Sequence, residues 1–330
     1  MSTVHFLNVG KGDCTLIQHN SGRNSLIDIC KGNLSLTKEQ EFEAKLAEAV
    51  EKVRGNFGMS KLPTNPVTYL RQVGITRLFR FILTHPDMDH LDGLENLFDT
   101  FSVGNFWHTG VTREAPTFET GEYRQEDWDL YKEILAINRS GLTVLSNLAG
   151  STFKYANEDE AKGTPGDALS ILAPNAALVE AAIESGDVND SSYVLLFRSA
   201  GGRILIPGDA HDETWEYVLE HYEEDVAGCS VLFAPHHGRK SGRSFEFLDV
   251  IKPKMTFFGC ASSGHLAYNE WNRRKLPVIT NNQAGNIVLN CAGGQIDIYV
   301  ENARFAESAE CDLNIVNNLG YTYFQSIASA

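Results

Sequence analysis

Positive charge is scarce in this 330-residue chain: 28 Lys and Arg stand against 43 Asp and Glu, a formal net charge of −15. Nonspecific affinity for duplex nucleic acid comes mainly from Lys and Arg neutralising phosphates, so a broad basic face is excluded and any polyanion has to be held by a local cationic site. Cysteine is sparse too. Cys14, Cys30, Cys229, Cys260, Cys291 and Cys311 are scattered, with no CxxC pair and no dense framework, which points to buried thiols in a reducing compartment rather than to a disulfide scaffold. No apolar run approaches the ~20 residues that span a bilayer. The opening MSTVHFLNVG lacks the basic start, apolar stretch and small-residue cleavage site of a signal peptide. These absences lead to the expectation of a soluble, cytoplasmic protein with no membrane partner.

What is present reads as a mixed α/β chain. HFLNVG (5–10), CTLIQ (14–18) and SLIDIC (25–30) read as three strands, with the Gly-rich corner GKGD between the first two. From Thr37 to about Gly55, Phe42, Leu46, Ala49, Val50 and Val53 recur at helical spacing. A second helix is expected over 65–73, with Asn65 as its cap, Pro66 at the first helical position and Gly74 as its stop. LFRFILT (78–84) reads as a strand, LDGLENLFDTF as a short helix and SVGNFWHTG as the next strand. Three more strands are ALSILAP (168–174), SYVLLFRS (192–199) and RILIPGD (203–209), the last two joined as a hairpin by Ala-Gly-Gly. A helix near 213–222 leads to VLFAPHHG (231–238), and MTFFGC, NIVLN and QIDIYV complete a β-rich second half. No repeat or low-complexity linker divides the chain. It reads as one domain over 1–330, with divergent insertions at about 31–64 and 111–165.

Chemistry concentrates where three apolar strands end. FILT runs into His85, Asp87, Asp89 and His90; RILIPG ends in Asp209; VLFAP ends in His236 and His237. Four ionisable groups within six positions after a buried strand are costly unless something compensates their charge and desolvation, and a metal does this. Taken alone, Asp209 reads as a turn or capping residue, and the His pair as structural. Repetition at three strand ends favours a shared site.

At these residues the sequence resembles the metallo-β-lactamase fold. THPDMDH is similar to its HxHxDH signature, in the HxDxDH form carried by the ComEC-like branch of competence proteins. NVGKGDCTLIQ resembles that branch's N-terminal VGQGD element, and NDSSYVLLF, ILIPGD and APHHGRKSG follow in its order. The likeness covers roughly 4 to 30, 66 to 106 and 168 to 242. It implies an α/β, metallo-β-lactamase-like αββα sandwich, two mixed β-sheets flanked by helices, in a stand-alone relative without the branch's membrane channel or OB-like domain. It also implies that His85 and Asp87 bind one metal and Asp89 and His90 a second, with Asp209 bridging and one of His236 and His237 completing the second site. Asp89 and Asp209 are the expected catalytic carboxylates. Asp190 is a candidate ligand where the fold often has a histidine. Asp13 and Asp28 read equally as turn residues or as partners that orient ligand imidazoles.

A donor set of imidazoles and carboxylates without thiolate suits two divalent ions, Zn or Mn. Two such ions ~3.5–4 Å apart lower the pKa of a bridging water toward ~7 and stabilise a leaving oxygen. Hydrolysis is the expected reaction. Arg239, Lys240 and Arg243, directly after a candidate ligand, could position phosphate oxygens. The expected substrate is therefore a phosphodiester, with single-stranded DNA foremost. The alternatives are a small phosphodiester, such as a cyclic nucleotide or phosphocholine ester, and a metal-binding regulatory module without turnover.

Overall fold

The computed structural model describes residues 1–35, 57–158, 166–261 and 264–329. The helix expected over 37–55 lies outside them. The first half contributes β1 (Ser2–Phe6), β2 (Thr15–Gln18), β3 (Asn24–Ile27), β4 (Arg77–Ile82), β5 (Ser102–Trp107), β6 (Thr143–Leu145) and β7 (Leu169–Ala173). The second half contributes β8 (Val194–Ser199), β9 (Gly202–Ile206), β10 (Val231–Phe233), β11 (Met255–Phe258), β12 (Val278–Thr280), β13 (Ile287–Ala292), β14 (Gln295–Val300) and β15 (Thr322–Ala328). They form two sheets, in the orders β15-β14-β13-β1-β2-β3-β4-β5-β6 and β12-β11-β10-β9-β8-β7.

Strand periodicity explains the layering. Val4, Phe6, Ile17, Ile27 and Ile82 of the first sheet face Leu195, Phe197, Ile204, Val231 and Phe257 of the second. Their chain neighbours Leu16 and Leu26 point the other way and pack under the helices Pro66–Gln72, Leu94–Thr100 and Gln125–Ala136, through Leu70, Leu94, Leu97, Tyr131 and Ile134. Leu196, Leu205 and Leu232 likewise meet Trp215, Val218, Leu248 and Trp271 on the helices Asp212–Val226, Phe247–Ile251 and Tyr268–Arg273. The inner strands of each sheet are covered on both faces, which is why they read as continuous apolar runs, whereas β14 alternates buried and partly exposed residues. Burying one such Leu or Phe contributes ~1.5–3 kcal/mol. The result is the expected α/β/β/α sandwich of two mixed sheets.

Strand direction places the site. β3, β4, β5 and β6 run parallel, and so do β9, β10, β11 and β12. Parallel neighbours deliver their C-terminal ends to one edge. There β3 delivers Asp28, β4 delivers the 85–90 segment, β9 delivers Asp209 and β10 delivers the two histidines.

The helix Pro66–Gln72 is capped as expected, the Asn65 side chain accepting from the Thr68 N–H at 3.1 Å. The expected first strand stops at Phe6 rather than Gly10, because the chain folds back there and Leu7 N–H donates to Cys14 O at 3.0 Å. The helix Ala176–Ser185 was not expected, although Asn175 caps it and Gly186 ends it at φ 77°. The segment 111–158 carries the helix Gln125–Ala136 and also β6, which extends the first sheet.

Candidate metal centre

The run from His85 to His90 leaves β4 and closes in a short 3-10 turn, Met88–His90. The GKGD corner lies directly against it. A Cβ on Gly12, which has φ 103°, would stand 2.2 Å from the Asp89 carbonyl oxygen, so only glycine lets the corner approach this closely. Opposite, His236 and His237 both adopt left-handed conformations, φ 50° and 57°. Such non-glycine residues cost ~1–3 kcal/mol each and persist only where the surroundings hold them. Here His236 N–H donates to Gly208 O at 3.1 Å and Arg239 N–H to His236 O at 2.9 Å.

Asp209 is the hub. Its Oδ1 lies 3.4 Å from His90 Nε2, and its Oδ2 lies 3.6, 3.7 and 3.9 Å from the Nε2 atoms of His236, His237 and His85. Asp89 Oδ2 is 3.4 Å from His237 Nε2, and Asp87 Oδ2 is 3.7 Å from His85 Nε2. Ligand atoms of His85, His90 and Asp209 fall within 4.8 Å of one another, and so do those of Asp89, His90 and His237. The two clusters share His90, and Asp209, a member of the first, lies 3.7 Å from His237 of the second.

Partners behind the imidazoles set their tautomers. His90 Nδ1–H donates to Asp28 Oδ2 at 2.8 Å, and His237 Nδ1–H to Asp13 Oδ1 at 2.9 Å. Thr84 gives its hydroxyl proton to Asp28 Oδ2 at 2.7 Å, so its oxygen is left to accept from His85 Nδ1 at 3.1 Å. All three Nε2 atoms therefore point into the centre, where each can ligate once it carries no proton. Burial works against charge on His90, yet Asp28 and Asp209 hold it well above the usual histidine range, and Asp13 and Asp209 do the same for His237. Burial pushes His85 down to about 4 and His236 to about 3. Burial opposes ionisation of Asp209, but His237 and His90 outweigh it and keep the carboxyl well below the carboxylate range.

The donor set fits a divalent cation. His85 Nε2, His90 Nε2, His237 Nε2 and Asp209 Oδ1 are buried without a hydrogen-bond partner among the described residues. A desolvated polar atom left in this state costs ~1–3 kcal/mol. A cation between them would bond all four at once.

Of the sequence candidates, His85, Asp87, Asp89, His90, Asp209 and both His236 and His237 come together, with Asp13 and Asp28 immediately behind. Asp190 sits in a neighbouring group, 3.6 Å from His211 Nδ1 and alongside Asp187. Burial, with Asp187 beside it, pushes Asp190 up to about 6. The three cations after His237 part company. Lys240 is exposed, Arg239 is half-buried, and Arg243 is 8% exposed with Nη2 donating to the Asp209 main-chain carbonyl at 2.7 Å. Sequence reasoning missed Thr84, although it adjoins His85, and missed Arg113, which pairs with Asp87 from the stretch after β5.

No family model matches the chain. It is 24% identical over 294 residues to ComE operon protein 3 of Bacillus subtilis (strain 168), covering 86% of this chain and 32% of that protein. Over 207 residues it is 24% identical to competence protein ComA of Neisseria gonorrhoeae, covering 61% of this chain and 22% of that one. The chain thus spans about a third or less of the length of these relatives. The fold is an α/β/β/α sandwich of two mixed sheets. Solved structures that align with the chain include a metal-dependent hydrolase of the β-lactamase superfamily, at 13% identity and TM-score 0.49 over 89% of this chain and 100% of that one. A diphosphatase of the PhnP family aligns at 12% identity and TM-score 0.40 over 89% and 99%. Among the described residues, no helix is long and apolar enough to cross a membrane.

Proposed function

We propose that this chain is a metal-dependent phosphodiesterase that acts on DNA, single-stranded or frayed ends foremost. The observation that carries the reading is the convergence of buried, unpartnered imidazole and carboxylate atoms around Asp209. His85, Asp87 and Asp209 would hold one cation, and Asp89, His90, His237 and the shared Asp209 a second; zinc and manganese suit this donor set. When bound, such a pair supplies an acidified water and charge stabilisation for the leaving oxygen.

The remaining work belongs to the chain's own residues. Asp28, Asp13 and Thr84 keep the ligand protons on Nδ1, so each Nε2 stays available. Arg243 braces the Asp209 main chain, and its Nε and Nη1 have no hydrogen-bond partner among the described residues. Arg239 and Lys240 come directly after the turn that carries His237 and offer charge to phosphates flanking the scissile one. The resemblance to the ComEC-like branch supports DNA over other diesters.

Purified protein loaded with Mn or Zn is assayed against single-stranded DNA, duplex DNA and bis-p-nitrophenyl phosphate. Metal-dependent cleavage of single-stranded DNA, lost in Asp209→Ala, is the expected result. Turnover of the chromogenic diester alone would move the reading to small phosphodiesters. Metal uptake without turnover of any substrate would identify a binding module.

A further inference from the structure

Asp87 differs from the other carboxylates of the centre. Its Oδ1 pairs with Arg113 Nη1 while its Oδ2 turns to His85 Nε2 at 3.7 Å. Among the described residues, Asp89, Asp209, Asp13 and Asp28 have no such ion pair with Arg or Lys. The Asp87 and Arg113 side chains are 29% and 32% exposed, so the pair sits at the mouth of the site, neither sealed nor fully solvated.

Arg113 is also fastened. Beyond the end of β5, His108 N–H donates to Leu145 O at 3.0 Å. Two residues before the arginine, Val111 is 2% exposed and packs with Ala182 and Val188. The guanidinium therefore reaches Asp87 from an anchored stretch of chain.

We infer that Arg113 is a positioning residue for the cation on the Asp87 side of the centre, which rests on the metal-centre reading above. An ionised carboxylate can ligate through either oxygen or both, and an exposed one samples several rotamers. A guanidinium held on Oδ1 leaves Oδ2 as the one oxygen aimed at the centre. It also offsets one of the three negative charges that Asp87, Asp89 and Asp209 bring together. The divergent insertion thereby becomes part of the metal site without contributing a ligand. Outer partners that orient a ligand are worth ~10–100-fold in metal affinity.

The test reads metal binding rather than activity. Wild type, Arg113→Ala and Arg113→Lys are stripped with a chelator and titrated with Mn or Zn against a competing chromophoric chelator, with circular dichroism to verify the fold. Wild type should bind in two steps. Arg113→Ala should weaken one step by ~10–100-fold and leave the other in place, and Arg113→Lys should recover part of the loss. If Arg113→Ala does not fold, Arg113→Gln, which keeps one donor for Asp87, should show an intermediate loss. Two unaltered steps in the variants would overturn the inference. So would tighter binding, since it would mean the guanidinium merely competes with the cation. A wild type that takes up no metal would overturn the metal-centre reading together with it, whereas a two-step wild type with unchanged variants overturns this inference alone.

Discussion

Asp28→Asn changes one buried oxygen to an amide nitrogen and nothing else in shape. Asp28 is 1% exposed and receives Thr84 N–H on Oδ1 at 2.8 Å, and Thr84 Oγ1–H and His90 Nδ1–H on Oδ2 at 2.7 and 2.8 Å. Its φ of 55° is one that asparagine tolerates well, so the backbone is not perturbed. The Thr84 amide hydrogen is fixed and claims the remaining carbonyl oxygen, which puts the new NH2 against His90 Nδ1. The imidazole must then accept there and carry its proton on Nε2, where the lone pair faces Asp209. Loss of such an orienting partner costs ~10–100-fold in metal affinity, or ~1.4–2.7 kcal/mol. If the ring does not switch, two donors face each other in the core, at ~1–3 kcal/mol of stability. Competitive metal titration and urea unfolding of the metal-free protein measure the two costs separately. Wild-type values in both would refute the assignment of Asp28 as the partner that fixes the His90 tautomer.

The metal-free and loaded proteins should respond to pH in opposite directions. His90 and His237 are raised in the folded chain, so their stabilising protonation is complete below ~6.5 and is lost as pH rises through their folded pKa. Metal affinity should climb over the same range as those protons leave, and parallel trends in melting and titration would count against this. At the opposite end of the molecule Asp167 joins Arg80, 1% exposed, at 2.7 Å and Arg23 at 2.9 Å. Asp167→Ala should destabilise by ~3–5 kcal/mol in urea by stranding Arg80. Burial opposes ionisation of Asp167 but Arg23, His19, Arg80 and Ser21 together outweigh it, so its contribution is present above ~3.9 and lost as pH falls through the depressed folded pKa; acid unfolding without protonation of Asp167 by NMR would contradict it. Gly12→Ala should lower both stability, by a few (~2–4) kcal/mol, and metal stoichiometry, because the new methyl displaces the Asp89 carbonyl; a fully loaded, equally stable variant would show that the corner yields. Arg239→Ala with Lys240→Ala should raise KM for single-stranded DNA and leave kcat and the chromogenic diester nearly unchanged, as loss of uniform binding does; equal losses on both substrates would place these cations in the chemistry.

The site was more legible in the sequence than its surroundings. Apolar runs mark β4, β9 and β10, and polar residues right after them mark a strand end, so the sequence pattern alone brought residues 85–90, 209 and 236–237 to one place. Pairing behind the imidazoles was half legible: Asp13 and Asp28 could equally have been turn residues, because only three-dimensional distance shows that each meets a ring nitrogen. Arg239, Lys240 and Arg243 look alike in the sequence, yet burial separates them, since a turn sends one side chain inward and its neighbour out. Arg113 gave no signal, because a lone arginine in a polar, acidic stretch looks like a solvated one. Beyond residue 300, the short elements Ala303–Ser308 and β15 are stabilised by the stacking of Phe305 on Phe324 and by the pairing of β15 with β14 rather than by local pattern.

The position of β1 has a consequence for how the chain is made. One edge of β1 pairs with β2, but the other pairs with β13, Phe6 opposite Ile287 and Ser2 opposite Cys291. At ~5–20 residues per second, the ribosome needs roughly 15–55 s to make the ~280 residues between those partners. The segments bearing Asp13, Asp28 and the 85–90 ligands emerge first, beside an open strand edge and without Asp209 or the His pair. A nascent chain in this state presents unpaired backbone groups and a partial set of metal ligands together. It is the stage of synthesis at which an early cation or a chaperone would matter most.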